Sequence, residues 1–139
     1  MAIDRAALLK LLNSPRYHQF LDLELEELGE DSIKLRLPFK EDFLGDEAGT
    51  YIHGGIIASL IDIAGDFALI TSFGRGLPTI DLRIDYLRPA LKEDLIASAV
   101  VVKKGRTLGI SDITITNEAG QKIAIGRGLY STAAPKGNH

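Results

Sequence analysis

The longest apolar stretch of the chain lies in its middle and stops at Gly74. Its length predicts a helix, and apolar side chains on nearly every side of that helix place it in the interior of the fold. One polar stripe interrupts this surface at spacings of three and four residues, so its members share one face. The stripe consists of Gly55, Ser59, Asp62 and Asp66. A buried helix with such a stripe predicts a site that carries chemistry.

Two short helices are predicted at the start of the chain. Apolar residues at helical spacing predict the first over residues 4–12. Ser14 and Pro15 have the character of an N-cap and a first helical position, and they predict a second helix through Phe20. Residues 1–20 would then form a helical cap on the domain.

A period of two predicts about six strands outside these helices. The strands run from Leu21 to a turn at residues 29–31, over 33–37, over 79–86, over about 94–104, over 107–117, and from a turn at 117–120 to about Thr132. A slip of the apolar phase in the fifth strand predicts a β-bulge near Ser111. The aperiodic residues 39–52 form a long loop before the central helix. The pattern predicts an α+β fold in which an antiparallel sheet wraps around one helix.

Length and charge narrow the possible functions. A chain of 139 residues is large enough for one domain with a real core, and residues 133–139 form a polar tail that we expect to be disordered. A net charge of −3 is unlike the strong basic excess of nucleic-acid-binding proteins. The absence of cysteine excludes disulfides and thiolate chemistry. The first residues lack the features of a signal peptide, and two aspartates interrupt the apolar stretch, so we expect a cytoplasmic protein without a membrane partner.

The start of the central helix suits a polarised carbonyl oxygen. Its first N–H groups lack partners within the helix, and glycine lets a ligand approach them closely. Gly55 would supply such an amide, and Asp62 a carboxylate that acts as base or nucleophile. Seven residues of helix separate the two by roughly 10 Å, whereas catalysis needs contacts of about 3 Å. Two antiparallel copies of the helix would bring each Gly55 opposite the partner's Asp62, so we expect a site shared across a dimer.

Three blocks of the sequence belong together. The first is His53-Gly54-Gly55 followed nine residues after the histidine by Asp62. The second runs from Thr79 to Ala90 and contains Tyr86-Leu87-Arg88-Pro89, and the third contains Gly105-Arg106-Thr107 and later Gly120. Over roughly residues 21–130 these blocks resemble hotdog-fold acyl-CoA thioesterases of the PaaI (phenylacetate-pathway, aryl-CoA thioesterase) type. This resemblance implies the hotdog fold, thioester hydrolysis without a metal or redox cofactor, and a homodimer that pairs into a dimer of dimers, a homotetramer.

The resemblance also implies roles for individual residues. Asp62 would be the catalytic carboxylate, the Gly55 amide would polarise the thioester carbonyl, and Thr79 would hold the water. His53 would orient the loop or contact the ligand. Relatives carry Asn or Gln before this histidine, where Asp46 and Glu47 stand here, so Glu47 is the candidate for that position. The expected contacts to the substrate and to coenzyme A are Gly54, Asp66, Arg88, Lys103, Lys104 and Arg106.

Two other functions stay open at the level of sequence. An acidic loop in place of the usual amide residue would suit an acyl-CoA sensor or binding module without catalysis. A hotdog dehydratase or hydratase is the other alternative, although its usual His and carboxylate motif is absent. Ser59 has no histidine spaced to activate it and no nucleophile elbow, so a serine hydrolase is not expected.

Overall fold

A six-stranded antiparallel sheet curls around one long helix in the computed structural model, which describes residues 2–135. The helices are α1 (Arg5–Asn13), α2 (Arg16–Leu21) and α3 (Gly54–Phe73), and a short 3₁₀ turn spans Glu41–Phe43. The strands are β1 (Glu24–Gly29), β2 (Ser32–Leu37), β3 (Thr79–Tyr86), β4 (Leu95–Lys104), β5 (Leu108–Thr116) and β6 (Lys122–Ser131). Their order in the sheet is β1-β2-β4-β5-β6-β3. The predicted α+β architecture is confirmed, with β3 at one edge of the sheet.

The N-terminal elements begin and end slightly away from the predicted positions. Ser14 is not an N-cap, because its N–H donates to the carbonyl of Lys10 and closes α1. Pro15 precedes α2 without a side-chain cap. The first strand does not begin at Leu21, which ends α2, because Asp22 takes a left-handed conformation (φ 57°) that separates helix from strand. The alternation of leucines and acids begins within the helix, so periodicity alone misplaced the boundary.

A β-bulge was predicted in β5 near Ser111, and this prediction is wrong because the irregularity lies in the neighbouring strand β4. The pairing of β5 with β6 is continuous through Ser111, whereas the register of β4 shifts between Val101 and Lys103 on the other side. Gly109 and Ser111 are the small buried residues of β5 under α3, and the Ser111 hydroxyl donates to the carbonyl of Gly65 (2.8 Å). The apolar phase slips in the sequence because these two core positions lack apolar side chains.

The central helix begins and ends close to its predicted bounds. His53 caps its start, and Gly74 ends it in the left-handed conformation (φ 71°) that glycine adopts without strain. Between residues 57 and 71, the helix residues that are not buried are Ala58, Ser59, Asp62 and Asp66. The polar stripe is therefore the one side of the helix that the sheet leaves partly open.

The edge strand β3 has apolar side chains without cover. Ile80, Tyr86 and the following Leu87 are more than half exposed, at 58%, 53% and 52%. The predicted alternation along this strand is present, but the expected burial is incomplete because no further strand pairs with its outer edge in the described chain. An exposed apolar edge of this kind is a surface on which another strand can pair.

By length and composition α3 is also apolar enough to cross a membrane, with a mean hydropathy of 1.7 over its most apolar window. Most of that window is buried within the fold, as in the core helix of a soluble protein. Of the tail predicted to be disordered, residues 133–135 are exposed, and residues 136–139 lie outside the described part of the chain.

A fully buried tyrosine sets the distance between α3 and the sheet. A Cβ atom added at Gly65 on α3, or at Gly128 on β6, would overlap the hydroxyl of Tyr130. The same hydroxyl donates to the carbonyl of Asp62 (2.9 Å). The two glycines therefore form the slot in which Tyr130 supports the backbone of the helix.

We expect Gly65→Ala to lower the free energy of unfolding by about 1–2 kcal/mol in urea titrations. Overpacking costs about 1–3 kcal/mol and exceeds the gain of up to about 1 kcal/mol that alanine brings to a helix. In a Tyr130→Phe background the hydroxyl is gone, so the same substitution should cost less. A Gly65→Ala protein as stable as the parent would contradict this packing.

Candidate active site

The first turn of α3 offers one free amide, and it belongs to Gly54. The Gly55 N–H, expected to polarise a carbonyl, donates instead to Nδ1 of His53 (2.8 Å). The Ile56 N–H donates to the carbonyl of His53 (3.0 Å). Within the described residues, the Gly54 N–H has no acceptor. His53 is thus the N-cap of the helix, and its Nδ1 carries no proton because a backbone N–H can only donate.

A tyrosine at the end of β3 holds this turn in place. The hydroxyl of Tyr86 donates to the carbonyl of Gly54 (2.7 Å), which ties the start of α3 to the end of the edge strand. Sequence reasoning placed Tyr86 in the family block but assigned it no role. Beside this contact lies an open cavity of about 400 Å³. Its lining is mainly apolar, with Arg88 as its one charged residue: Tyr51, Ile52, Gly54, Ile57, Tyr86, Leu87, Arg88, Pro89 and Ala90.

The loop before His53 folds back into a closed turn. Leu44 and Ile52 pair as an isolated bridge, and Gly45 lies so close to His53 that an added Cβ would come within 2.7 Å of the His53 Cα. Asp46 accepts the N–H of Thr50 (2.7 Å) and so supports its own turn rather than the helix. Glu47 lies exposed at the tip, without a hydrogen bond or ion pair among residues 2–135.

The carboxylate of Asp62 lies next to the hydroxyl of Thr79, the residue expected to hold the water. Thr79 Oγ1 donates to Asp62 Oδ1 (2.7 Å), which joins the third turn of α3 to the start of β3. The carboxylate is partly exposed on the polar stripe. Asp62 therefore has one oxygen bound to a hydroxyl and the other available to a ligand or water.

Asp66 is the more buried of the two neighbouring carboxyls. Burial raises the pKa of Asp66 to about 7 from the ordinary value of 3.8, the N–H of Leu77 opposes this shift, and the charge of Asp62 adds to it. The Leu77 N–H donates to Asp66 Oδ1 at 3.1 Å. Burial and the two carboxylates also raise the pKa of the Tyr130 hydroxyl. Asp66 does not contact any of the other predicted substrate-binding residues.

Ser59, on the same stripe, already has a partner for its only proton. Its hydroxyl donates to the carbonyl of Gly55 (2.9 Å), so the hydroxyl of Tyr17 is the donor in the contact between Tyr17 and Ser59 (2.7 Å). This arrangement agrees with the expectation that Ser59 is not a nucleophile. It also brings the half-exposed Tyr17 of α2 within one helical turn of the site, a neighbour that the sequence did not indicate.

The predicted basic contacts divide between the two ends of α3. Arg88 lines the cavity beside Gly54. Lys104 pairs with Asp31 (2.8 Å) and approaches Ser72, near the last turn of the helix. Lys103 and Arg106 are exposed at the same β4–β5 hairpin. Within one chain the structure brings Arg88 to the helix start and does not bring the three hairpin residues there.

The predicted catalytic residues other than Glu47 lie in two half-sites. One contains His53 and Gly55 at the start of α3, together with the predicted substrate contact Gly54, and the other contains Asp62 and Thr79. Eight residues of helix, roughly 12 Å, separate Gly54 from Asp62, so one chain cannot apply both to a single carbonyl group. No cluster of three or more potential metal ligands occurs in residues 2–135.

Comparison with known proteins defines the family. The thioesterase superfamily model matches residues 49–124, which include both half-sites. A protein of Halobacterium salinarum with a provisional esterase name is 36% identical over 122 residues, or 80% of each chain. Human acyl-coenzyme A thioesterase 13 is 41% identical over 80 residues, 55% of this chain and 56% of the human one. An Escherichia coli medium/long-chain acyl-CoA thioesterase is 27% identical over 130 residues, 82% and 83% of the two chains.

Solved structures agree with this match. A zebra fish thioesterase superfamily member 2 superimposes with a TM-score of 0.80 at 26% identity, covering 91% of this chain and 94% of the other. The Escherichia coli PaaI protein gives a TM-score of 0.84 at 23% identity over 93% and 92% of the chains, which shows a common fold. The chain therefore belongs to the thioesterase superfamily, and the predicted hotdog fold and thioester-hydrolase class are confirmed.

The partly buried carboxyl of Asp66 makes the free energy of unfolding depend on pH. The unfolded chain loses this proton near pH 4 and the folded chain near pH 7, so the free energy of unfolding falls as the pH rises through this window. Because one pKa unit is about 1.4 kcal/mol, Asp66→Asn should gain up to roughly 4 kcal/mol over the parent between pH 4 and pH 8. Urea unfolding at both pH values measures the difference.

Asp112→Asn is the control. The hydrogen bond from Arg127 lowers the pKa of Asp112, so the stabilising contribution of this carboxylate is nearly complete above about pH 4 and is lost only at lower pH. Its loss should therefore lower the free energy of unfolding by nearly the same amount at pH 4 and at pH 8. An Asp66→Asn protein with the same pH dependence as the parent would show that Asp66 is ionised throughout.

Proposed function

We propose that the protein is an acyl-CoA thioesterase, which hydrolyses an acyl- or aryl-CoA thioester to the free acid and coenzyme A. The family, the names of the human and Escherichia coli relatives, and the presence of a free amide and an accessible carboxylate on one helix support this substrate class. We further propose that residues 1–139 act as one domain, in the cytoplasm and without a resident cofactor.

The observation that carries the proposal is the placement of the two half-sites at opposite ends of the edge strand. Tyr86, at the end of β3, binds Gly54, and Thr79, at its start, binds Asp62. A two-fold axis through the middle of β3 would pair two copies of the strand antiparallel, and it would exchange these ends. Each Gly54 would then face Asp62 of the partner subunit, as the spacing on α3 also requires. The exposed apolar side chains of β3 support this homodimer.

In the proposed reaction, the thioester carbonyl oxygen accepts the N–H of Gly54. The Gly55 N–H could also donate to this oxygen only if its hydrogen bond to His53 Nδ1 were broken. We therefore assign the first contact to Gly54. Water held by Thr79 and Asp62 of the partner subunit attacks the carbonyl carbon, and Asp62 accepts its proton. The carbon–sulfur bond then breaks, and the leaving thiolate takes that proton. Direct attack by Asp62, through a mixed anhydride that water later cleaves, gives the same products.

The cavity beside Gly54 is the proposed channel for the substrate. Its apolar and aromatic lining suits an acyl group or the pantetheine arm, and Arg88 is the cation placed to contact a phosphate. Lys103, Lys104 and Arg106 could reach the nucleotide only from another part of the assembly, since they lie at the far end of α3 in the same chain. Glu47 is the proposed substitute for the amide that relatives carry, and it would contact the water from the loop tip.

A dimer of dimers is the proposed full assembly. The outer face of the sheet, opposite α3, exposes Val100, Val102 and Ile125 around the ion pair of Arg127 with Asp112. Such an apolar face with a central pair of charges is suited to burial against a second dimer. We assign the homotetramer to this face because β3 is used within the dimer.

We expect Asp62→Asn to reduce kcat by about 100- to 10,000-fold, since it removes the group that accepts the proton. Gly54→Pro removes the amide proton and places a ring carbon in its position, and proline fits a first helical position after the extended His53 (ψ 135°). Loss of one oxyanion donor should cost about 100- to 1,000-fold in kcat. Thiol release from a panel of alkyl- and aryl-CoA thioesters measures both.

Gly54→Ala is the matched control for the proline variant. It keeps the N–H, and its Cβ would lie in ordinary contact with Tyr86 (3.4 Å), so its activity should resemble that of the parent. Full turnover by Asp62→Asn would overturn the catalytic assignment. A parent protein that binds coenzyme A but releases no thiol would favour the sensor, and turnover of an enoyl-CoA would favour the hydratase.

Mixed dimers of Gly54→Pro and Asp62→Asn subunits test the shared site. In a mixed dimer one site combines the intact Gly54 with the intact Asp62, and the other site lacks both. Random mixing makes half of the dimers mixed, so activity should recover to about a quarter of the parental value. If each site belonged to one subunit, mixing would restore nothing, and thiol release from the remixed proteins distinguishes the two cases.

A further inference from the structure

Asp66 is a partly buried carboxyl that the proposed reaction does not use. A carboxyl with one hydrogen bond is costly to bury, and an apolar side chain of similar size would pack in its place at lower cost. Among the described residues, the groups that face it are Asp62 on its own helix, the Leu77 N–H before β3, and Tyr130 from β6. No Lys, Arg or His of residues 2–135 forms an ion pair with it.

Two parallel hydrogen bonds join α3 to the segment that enters β3. The Leu77 N–H donates to Asp66 (3.1 Å), and the Thr79 hydroxyl donates to Asp62 (2.7 Å). The two acceptors lie four residues apart on a helix, roughly 6 Å. The two donors lie two residues apart in an extended chain, about 7 Å. Because these spacings nearly match, both bonds form without distortion, and each favours the other.

The sheet alone holds the start of β3 weakly. Thr79 pairs with Tyr130, but the register with β6 shifts before Asp81, so the ladder is interrupted directly after Thr79. Pro78 has no N–H to donate, although its carbonyl accepts the Ser131 N–H (2.8 Å), and the segment before it contains Gly74 and Gly76. The Leu77 side chain is buried with Leu69 of α3 and Tyr130, and the bond from the Leu77 N–H to Asp66 is the polar contact that orients this segment against α3 beside the active site.

We propose that Asp66 is a positioning residue that holds residues 77–79 against α3 and thereby presents the Thr79 hydroxyl to Asp62. This inference rests on the proposed function, in which Thr79 and Asp62 hold the attacking water. It reassigns Asp66, which the sequence placed among the substrate contacts. A carboxyl oxygen accepts the Leu77 N–H whether or not the group is protonated, so the contact persists on both sides of neutral pH.

Asp66→Ala and Asp66→Asn distinguish the hydrogen-bond acceptor of Asp66 from its charge. Alanine removes the acceptor, so kcat should fall about tenfold with KM within about twofold, as expected when a catalytic group is misplaced but the substrate still binds. Asparagine keeps an oxygen for the Leu77 N–H, so its kcat should stay within about threefold of the parent. Thiol release under saturating and limiting acyl-CoA gives both constants.

A double-mutant cycle with Thr79→Ala tests whether Asp66 acts through Thr79. If it does, Asp66→Ala should lower kcat little further once the Thr79 hydroxyl is absent. Ser59→Ala is the matched control on the same stripe: it touches no residue of the 77–79 segment, so its effect should be the same with and without Thr79. An Asp66→Ala variant with parental kcat, or one whose full loss persists in Thr79→Ala, overturns the proposal.

Hydrogen exchange at the Leu77 amide gives a readout that does not depend on turnover. Exchange should accelerate in Asp66→Ala and stay near the parental rate in Asp66→Asn, with unchanged rates in the core of β5 as evidence that the fold is intact. If the parent hydrolyses no thioester, the proposed function fails, and this exchange experiment still decides the role of Asp66. Equal exchange in all three proteins would overturn that role.

Discussion

The burial of α3 is the constraint on which the rest of the structure depends. Its apolar surface needs cover on nearly all sides, and a six-stranded sheet that curls around it supplies this cover. The sheet leaves one stripe partly open, and the helix places Ser59 and both of its aspartates there. The side of the helix that lacks packing is thus the side that offers groups for chemistry.

Two tyrosines and one threonine hold the open side of α3 at fixed points. Tyr130 occupies a slot between two glycines and supports the backbone at Asp62. Tyr86 binds the first residue of the helix, and Thr79 binds Asp62. These three side chains come from β3 and β6, which are neighbours in the sheet. The geometry of the helix start and of the carboxylate is therefore fixed by the same edge of the sheet.

The edge strand β3 connects the proposed dimer interface with the proposed active site. A strand with exposed Ile80 and Tyr86 is an incomplete surface, and a helix with its amide and its carboxylate roughly 12 Å apart is an incomplete site. The proposed two-fold axis through β3 would complete both. We favour a shared active site because an arrangement within one chain would leave the strand edge uncovered and the two half-sites separate.

The sequence by itself determined most of the elements and the class of reaction. The period of two, the long apolar helix and the glycine stop at Gly74 predicted the fold, and the spacing of the polar stripe predicted Asp62 and its distance from the helix start. These features are local, since a few neighbouring residues decide them. The predicted bulge near Ser111 failed because a buried small residue under α3 and a true change of register look alike in one strand.

Only the tertiary structure decided which groups are free and which are already paired. The sequence could not show that His53 turns back to occupy the Gly55 amide and leaves the Gly54 amide open, because that depends on the path of the loop before it. It could not show that Lys104 pairs with Asp31, that Tyr17 reaches Ser59, or that Asp66 faces Leu77. Each of these contacts joins residues from different elements, and their distances are set by the packing of the sheet on the helix rather than by spacing along the chain.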